Sequence, residues 1–370
     1  MPAERPIVIA GGGTGGHVFP GLAVAEELRR RRPSGRLLWI GARGGLEERL
    51  VPRHAIPLTL LPLAGAAHLG LRRGLRAAWL AGWATARLWL RFLRERPALL
   101  IGVGGFASGP ALLAGALLGV PTLILEQNAV PGRTNRLLST VAAAAAVSFP
   151  SSARQLRCPC VATGNPVRRE IAAAPPRAAG PLRRLLAAGG SRGARALNEA
   201  WERALPRLAR LPLSVELQTG PDDAERLRRA AREAEAAPGA RLEVEVAEFF
   251  DDIPRRLASA DLFVGRAGAT TVAELTAAGR ASLLVPYPHA ADDHQRANAR
   301  ALAAAGAALV IDPDELTPER LAAAIEALAA DPARLQRMSD AARRLGRRDA
   351  AARVADLAEK LALRPAREAA

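Results

Sequence analysis

The sequence predicts an α/β protein of two Rossmann-like, doubly wound domains that face each other across a cleft. In each half of the chain, short apolar runs alternate with segments of helical apolar spacing, and in each half a glycine-rich turn directly follows a strand. A Pro- and Ala-rich stretch with the composition of a linker, 172–181, separates the halves. A chain of 370 residues also exceeds the length at which one hydrophobic core usually stops growing.

Apolar runs bounded by turn residues predict the strands of the first half. They lie at 7–10, 37–40, 58–61, 99–103, 122–125 and 143–147. Helical segments between them imply right-handed crossovers, and therefore a parallel sheet that is covered on both faces.

The second half repeats the same plan after the linker-like stretch. Its predicted strands lie at 183–188, 214–218, 242–246, 262–264, 282–285 and 308–311, and a last helix is predicted over 350–363. Ligand loops of such sheets lie at the carboxyl ends of the strands, so we expect two different ligands to meet in the cleft between the domains.

The first glycine turn occupies residues 11–16 and has glycine at all but one position. It lies where a strand becomes a helix, and free N–H groups and the helix dipole favour an anion there. Three interpretations fit: an NADP site with Arg43 near the extra phosphate, a turn made tight for packing alone, and a glycosyltransferase loop that holds a diphosphate. His17 follows the turn, and its imidazole suits proton removal from a sugar hydroxyl near neutral pH.

Composition narrows the class of protein. The sequence begins almost at once with a strand, which predicts a cytosolic protein without a signal peptide. Cys158 and Cys160 are too close for a relaxed disulfide and too few for a structural zinc site.

The net charge of +16 favours anionic partners such as acidic lipid headgroups or phosphorylated substrates. With aromatic residues at only 4% we expect no nucleic-acid partner.

Several blocks in order resemble the bacterial transferases that add N-acetylglucosamine to undecaprenyl-pyrophosphoryl-N-acetylmuramoyl-pentapeptide in peptidoglycan synthesis. The blocks are GGGTGGHVFPGLA (11–23), GVGGFASGP (102–110), EQNAVPGRTN (126–135), TGNPVR (163–168), GGSRGA (189–194), AEFFDD (247–252), RAGATTVAEL (266–275) and HAADDHQRANA (289–299). The resemblance covers nearly the whole chain and implies the GT-B type of glycosyltransferase fold.

The resemblance implies a role for each domain. Residues 1–165 with a C-terminal helix in 347–370 are expected to face the acceptor and the membrane, and residues 166–346 to bind UDP-N-acetylglucosamine. For the nucleotide, the implied contacts are Glu274 with the ribose hydroxyls, Phe250 with uracil, and Ser191 and Arg168 with the nucleotide and its phosphates. The sugar is expected to contact Asn128, Ala269 and Gln295, and Thr14, Gly15 and Gly16 are expected at the closing edge of the cleft. Thr270, Thr271, Val272 and Ala273 belong to the same donor-binding segment as Ala269 and Glu274.

The implied reaction is displacement of UDP from N-acetylglucosamine, with inversion, by the C4 hydroxyl of the muramoyl sugar. His17 is the candidate general base, and Glu126 is either the alternative base or the group that orients the acceptor. We expect no cofactor and no metal. The D-x-D run 312–314 lies between a strand and a helix, where a turn and cap explain it, and the acidic pair 292–293 opens a helix.

The segment 68–97 carries three tryptophans among arginines. Arginines interrupt it too often for a membrane span. Trp79, Trp83, Ala86 and Leu90 share one helical face, which suits a helix lying in an anionic headgroup layer; the alternative is a crossover helix whose tryptophans pack on the sheet. Since the acceptor tail stays in the bilayer, we expect a peripheral protein at the cytoplasmic face of the membrane.

Other functions remain open at the level of sequence. An NADP-dependent oxidoreductase would share the first glycine turn, and a non-catalytic protein that binds nucleotide sugars would share the second domain. A transferase with another acceptor would share the entire nucleotide site, so only the choice of acceptor separates it from the leading interpretation.

Overall fold

The computed structural model describes residues 5–63, 71–190, 194–290 and 293–363. The chain divides into two compact units, one of residues 1–168 with 349–370 and one of residues 169–348. Each unit is a parallel sheet with helices on its faces, so the predicted class of two parallel-sheet α/β domains is confirmed.

Seven parallel strands form the sheet of the first unit within the described ranges. They are β1 Ile7–Gly11, β2 Leu37–Ala42, β3 Leu58–Leu61, β4 Leu99–Gly104, β5 Thr122–Glu126, β6 Ala144–Val147 and β7 Cys160–Ala162. Their order is β3-β2-β1-β4-β5-β6-β7, so the winding reverses between β1 and β4. In a doubly wound sheet, ligands bind beyond the carboxyl ends of the strands at such a switch point.

Helices cover both faces of this sheet. They are α1 Gly15–Arg31, α2 Glu47–Leu50, α3 Leu71–Glu95, α4 Ser108–Leu117, α5 Arg133–Leu138, α6 Pro150–Ala153 and α15 Ala350–Ala362, with a 3₁₀ turn at Val51–His54. Leu22 and Leu28 of α1 pack with Val354 and Leu361 of α15 on one face. Phe92 of α3 belongs to the core of the other face.

Charge pairs link the first and the last helix of this unit. Arg31, at the end of α1, contacts Asp356 at 2.6 Å and Glu359 at 3.0 Å, both on α15. The chain therefore returns to the first unit after residue 348 and closes that unit's core with its last helix.

The sheet of the second unit has six parallel strands among the residues described. They are β8 Arg184–Ala188, β9 Ser214–Gln218, β10 Glu243–Ala247, β11 Leu262–Gly265, β12 Ala281–Leu284 and β13 Ala308–Val310, in the order β10-β9-β8-β11-β12-β13. The switch point is between β8 and β11, the same pattern as in the first unit.

The helices of the second unit follow its strands along the chain. They are α7 Arg169–Ala172, α8 Arg195–Leu208, α9 Ala224–Glu235, α10 Ile253–Ser259, α11 Ala269–Ala278, α12 His294–Ala304, α13 Pro318–Ala330 and α14 Pro332–Leu345. A 3₁₀ turn at Pro313–Glu315 precedes α13. Asp312 is the N-cap residue of this turn and Asp314 lies within it, so the D-x-D run lies in a turn, as predicted.

The structure corrects the linker predicted at 172–181. The division between the units lies at residues 168 and 169, and the linker-like stretch belongs to the second unit. Arg177 is buried there and contacts Asp261 at 3.0 Å, while buried Arg280 donates to the carbonyl of Pro175 at 3.0 Å. Two buried guanidinium groups thus hold a segment that, by composition, resembles a flexible one.

Candidate functional site

The first glycine turn lies at the switch point of its sheet, beyond β1 and β4. Gly12 donates its N–H to the carbonyl of Gly104, at the end of β4, at 3.1 Å. A side chain at Gly11 would overlap that same carbonyl, and Gly11 has a φ of +135°. The motifs 11–23 and 102–110 therefore interlock through their backbones, which explains part of their glycine content.

His17 is in the first turn of α1, half-buried against the end of β4. Its Nδ1 lies 3.1 Å from the carbonyl oxygen of Gly12. A carbonyl only accepts, so Nδ1 carries the proton in this bond and neutral His17 has its lone pair at Nε2. A Cβ at Gly104 would lie 2.6 Å from Cδ2 of His17, so the imidazole rests directly on that glycine. The geometry presents Nε2 as the proton-accepting atom.

Glu47 is a site residue that the sequence analysis missed. It lies in α2, is fully buried, and accepts N–H groups from Gly13 at 2.6 Å and Ala42 at 2.9 Å. Its carboxylate thus lies behind the glycine turn and uses one of the N–H groups that we expected to bind phosphate. Thr14 and Gly16, farther along the turn, are exposed, and Gly15 is half-buried.

Glu126 ends β5 and is almost completely buried. Its carboxylate accepts from the N–H of Asn128 at 2.9 Å, from the N–H of Gly132 at 3.1 Å and from Nδ2 of Asn135 at 2.8 Å. These donors make Glu126 the group that organises the loop 127–135. Of its two predicted roles, the geometry favours orientation over proton transfer.

Arg168 is the last residue of the N-terminal segment, 1–168, of the first unit. Its guanidinium carbon lies 4.5 Å from the centre of the Phe19 ring, in a cation–π contact. Phe19 belongs to α1, two residues after His17. An aromatic ring of the same unit thus holds the Arg168 guanidinium, the predicted phosphate ligand, close to the helix that carries His17.

In the second unit, α11 begins beyond β11 at the switch point. Gly268 is its N-cap, and the helix carries the whole predicted donor segment: Ala269, Thr270, Thr271, Val272, Ala273 and Glu274. Glu274 is 7% exposed and Thr270 8%, whereas Thr271 and Ala273 are half-buried. A helix N-terminus at this place favours a phosphate, and a planar carboxylate one turn later suits paired ribose hydroxyls.

Arg266, directly before this helix, was not predicted as a site residue. It donates to the carbonyls of Val285 at 3.1 Å and Pro286 at 2.8 Å and lies over the Tyr287 ring at 5.5 Å. Burial lowers the pKa of Arg266. Its guanidinium fixes the loop after β12, which leads to Gln295, whose Oε1 accepts the N–H of Tyr287 at 3.0 Å.

The ring of Phe250 is not exposed, as it would be if it stacked on a base in an open site. Phe250 is 4% exposed, and the guanidinium of Arg256 covers its ring at 3.8 Å. Its N–H donates to Oε1 of Gln218 at 3.0 Å. Phe249, its neighbour, is 40% exposed. Gln218, at the end of β9, was also missed, and it orients the backbone of this loop.

Two further predicted residues fall outside the described ranges. They are Ser191 of the second glycine turn and Asp292 of the acidic pair. Asp293 is described and contacts Arg296 at 3.2 Å. Across the described ranges, no group of three or more His, Cys, Asp and Glu side chains is placed to hold a metal ion.

The tryptophan segment forms α3, and residues 68–70 before it lie outside the described chain. Its core-facing side carries Ala84, Leu88 and Phe92. Trp79 is 67% exposed and Trp83 37%, so these two tryptophans do not pack on the sheet. None of the helices described here is long and apolar enough to cross a membrane.

Comparison with known proteins gives the same family over both units. The glycosyltransferase family 28 N-terminal domain matches residues 7–147, and the family 28 C-terminal domain matches residues 184–359. The UDP-N-acetylglucosamine--N-acetylmuramyl-(pentapeptide) pyrophosphoryl-undecaprenol N-acetylglucosamine transferase of Anaeromyxobacter sp. (strain K) is 42% identical over 97% of this chain and 93% of its own.

A further relative and a solved structure point to the same family. The protein of the same name from Syntrophotalea carbinolica is 44% identical over 94% of this chain and 96% of its own. The crystal structure of Acinetobacter baumannii MurG matches with a TM-score of 0.78 at 35% identity, covering 96% of this chain and 99% of that one.

Proposed function

The chain belongs to the family of UDP-N-acetylglucosamine--N-acetylmuramyl-(pentapeptide) pyrophosphoryl-undecaprenol N-acetylglucosamine transferases, and from this we propose that it transfers N-acetylglucosamine from UDP-N-acetylglucosamine to the C4 hydroxyl of undecaprenyl-pyrophosphoryl-N-acetylmuramoyl-pentapeptide. It is thus a hexosyltransferase of peptidoglycan synthesis. The observation that carries the proposal is the position of the family blocks, since residues 11–17 and 266–274 lie beyond the strands at the switch point of each sheet.

The second unit supplies the donor site in this proposal. The N-terminus of α11 meets the diphosphate, and Glu274 receives the ribose hydroxyls. The backbone of Phe250, oriented by Gln218, contacts the edge of uracil, and the exposed ring of Phe249 can stack on the base. Arg168, Asn128, Gln295 and Ser191 contact the phosphates or the sugar, as the family resemblance implies.

The first unit supplies the base. The C4 oxygen of the acceptor attacks the anomeric carbon of N-acetylglucosamine, and its proton passes to Nε2 of His17. The bond from the anomeric carbon to the UDP oxygen breaks, and its electron pair leaves with UDP from the opposite face. This gives inversion. Prearranged N–H groups and cations meet the charge that develops on the diphosphate.

The exposed side of α3 supports contact with an anionic membrane. Large apolar side chains are exposed on α3 and on α4, which packs beside it: Trp79, Trp83, Leu90, Leu93, Leu113 and Leu117. Exposed Arg76, Arg87 and Arg94 lie among them. Tryptophans with arginines suit the headgroup layer, and the acceptor's lipid tail stays in the bilayer. We therefore assign a peripheral position at the cytoplasmic face of the bacterial membrane.

Product analysis tests the function. Purified protein is incubated in EDTA with labelled UDP-N-acetylglucosamine and a lipid-pyrophosphate muramoyl acceptor. We expect a labelled disaccharide on the lipid pyrophosphate and one UDP for each transfer. His17→Ala is expected to reduce turnover by about 10²–10⁴ with UDP binding retained, because general base catalysis contributes about that factor. UDP release without acceptor, or label on another acceptor only, would contradict the proposal.

A further inference from the structure

Two hydrogen bonds meet at one peptide unit behind the first glycine turn. The carbonyl of Gly12 and the N–H of Gly13 belong to the same trans peptide, so they point in opposite directions. The carbonyl accepts Nδ1–H of His17 at 3.1 Å, and the N–H donates to Oε2 of Glu47 at 2.6 Å. A continuous chain of atoms therefore runs from the Glu47 carboxylate through the 12–13 peptide to the imidazole.

The surroundings of Glu47 are built to hold a carboxylate. Its side chain is fully buried, and its second oxygen accepts the N–H of Ala42 at 2.9 Å. Glycine occupies the neighbouring positions 12, 41 and 45, where any Cβ would collide with the Glu47 side chain. Both oxygens accept hydrogen bonds, as an ionised carboxylate does. Three glycines thus leave space for this one side chain.

We propose that Glu47 is a positioning residue that orients and polarises His17 through the 12–13 peptide. The inference rests on the proposed function, in which Nε2 of His17 takes the proton of the acceptor hydroxyl. A negative charge beside the N–H of a peptide makes its carbonyl oxygen a better acceptor. That oxygen keeps the proton on Nδ1, and the lone pair stays on Nε2.

The same arrangement stabilises the product of the proton transfer. After Nε2 has accepted a proton, His17 is a cation, and the Gly12 carbonyl and the buried carboxylate both favour that charge. The arrangement corresponds to a carboxylate–histidine pair with one peptide unit between the partners. The Nδ1 proton does not move at any step. The imidazole also rests on Gly104, where a Cβ would lie 2.6 Å from Cδ2 of His17.

The tautomer of His17 is the direct test. The chain has 5 histidines, so ¹⁵N-histidine labelling gives a simple spectrum, and a His17→Gln variant assigns the resonance. At a pH where the imidazole is neutral, we expect wild-type His17 to carry its proton on Nδ1. In Glu47→Gln, which preserves shape but removes the charge, we expect a mixture of the two tautomers. Wild-type His17 protonated on Nε2 would overturn the inference, whatever the variant does.

Kinetics on the full chain supply the second readout. For Glu47→Gln we expect kcat to fall about tenfold or more, with the KM for UDP-N-acetylglucosamine nearly unchanged, because only the orientation of the base is lost. A loss of kcat together with equal loss of UDP affinity would contradict this, since it would indicate general unfolding.

Glu48→Gln is the matched control. Glu48 is the next residue, is exposed, and accepts the N–H of Gly44 at 2.9 Å without a link to His17. We expect its tautomer spectrum and kcat to equal those of wild type. Normal turnover in Glu47→Gln with a large loss in His17→Gln would overturn the role of Glu47 and leave the proposed base in place. Normal turnover in His17→Gln would overturn the proposed base, and this inference with it.

Discussion

His17 and Glu126 both lie near the carboxyl ends of the strands of the first sheet, but their hydrogen-bond partners suit them to different roles. The hydrogen bond from Nδ1 of His17 to the Gly12 carbonyl defines the tautomer and puts the lone pair on Nε2. The oxygens of Glu126 accept from Asn128, Gly132 and Asn135. A carboxylate that already satisfies several donors loses those bonds on taking a proton. At the scale of the residue, hydrogen-bond partners thus distinguish the proposed base, His17, from Glu126, which orders a loop, although both are buried or half-buried polar groups.

Glu126→Gln tests that distinction. One oxygen becomes an amide that faces N–H donors, so we expect the free energy of unfolding of the first unit to fall by about 1–3 kcal/mol. Turnover falls as well, because the loop 127–135 loosens. Denaturant unfolding and steady-state kinetics on the same samples measure both. Glu26→Gln on the exposed side of α1 is the control and should change stability by less than about 0.5 kcal/mol. Lost turnover with unchanged stability would instead favour Glu126 as the proton acceptor.

Side-chain partners explain why some site residues were not predictable. The sequence places Glu47 and Glu48 side by side after a glycine pair, and local pattern does not separate them. Only the fold brings Glu47 under Gly13, which is distant in sequence, while Glu48 remains exposed. The covering of Phe250 by Arg256 likewise depends on how α10 packs against its loop.

At the scale of elements, periodicity predicted most of the architecture but missed one strand, and composition misled at one stretch. The strands of both sheets lie within a few residues of their apolar runs, because parallel buried strands are nearly continuous apolar segments. β7 was missed, since three residues that start at Cys160 are too short for a periodic signal. The stretch 172–181 was taken for a linker because its composition does not reveal that Arg177 is buried against Asp261.

The exposed side of α3 predicts that a variant can lose membrane binding and keep its activity on a soluble acceptor. Trp79→Ser with Leu90→Ser removes two large apolar side chains from that side, and we expect binding to anionic vesicles to weaken at least tenfold. Activity on a soluble short-chain acceptor should remain near wild type. Co-sedimentation with vesicles measures the first effect and UDP release the second. Leu345→Ser, at an exposed leucine of the second unit, is the matched control. Equal losses in both assays would indicate a folding role for α3.

The junction of α1 and α15 predicts a dependence of stability on pH. Hydrogen bonds from Arg30 and then Arg31 lower the pKa of Glu27 to about 2, and Arg31 also bridges to α15. Because the pKa is lower in the folded state than the ~4.3 of an unfolded chain, ionised Glu27 stabilises the fold above that pH. The contribution disappears as pH falls toward 2.

Chemical denaturation of Glu27→Gln at several pH values measures this contribution. We expect the variant to be less stable than wild type at pH 6, and the difference to shrink between about pH 4 and pH 2. Arg53→Gln, at an exposed arginine of the 3₁₀ turn, is a control for lost charge. A difference that stays constant over this range would show that Glu27 acts through packing and not through its charge.

For the whole molecule, the two units repeat one topology but present different chemistry at their switch points. The first has a glycine turn backed by a carboxylate and followed by a histidine, and the second has a helix N-terminus followed by Glu274. A buried carboxylate behind the first turn disfavours a second anion close to it, whereas the start of α11 favours one. The repeat therefore predicts one nucleotide site, in the second unit, and not two.

Hydrogen exchange with and without UDP tests this division on the full chain. We expect UDP to slow exchange at 248–252 and in the first turn of α11, because in the proposed donor site the uracil edge and the diphosphate contact those backbones. Exchange at 11–17 should change much less, since the N–H of Gly13 is already bonded to Glu47. Glu274→Gln should weaken UDP binding and reduce the protection in parallel, and Glu319→Gln, at an exposed glutamate of α13, should do neither. Protection confined to 11–17 would assign the nucleotide to the first unit and overturn the division of labour proposed for the two units.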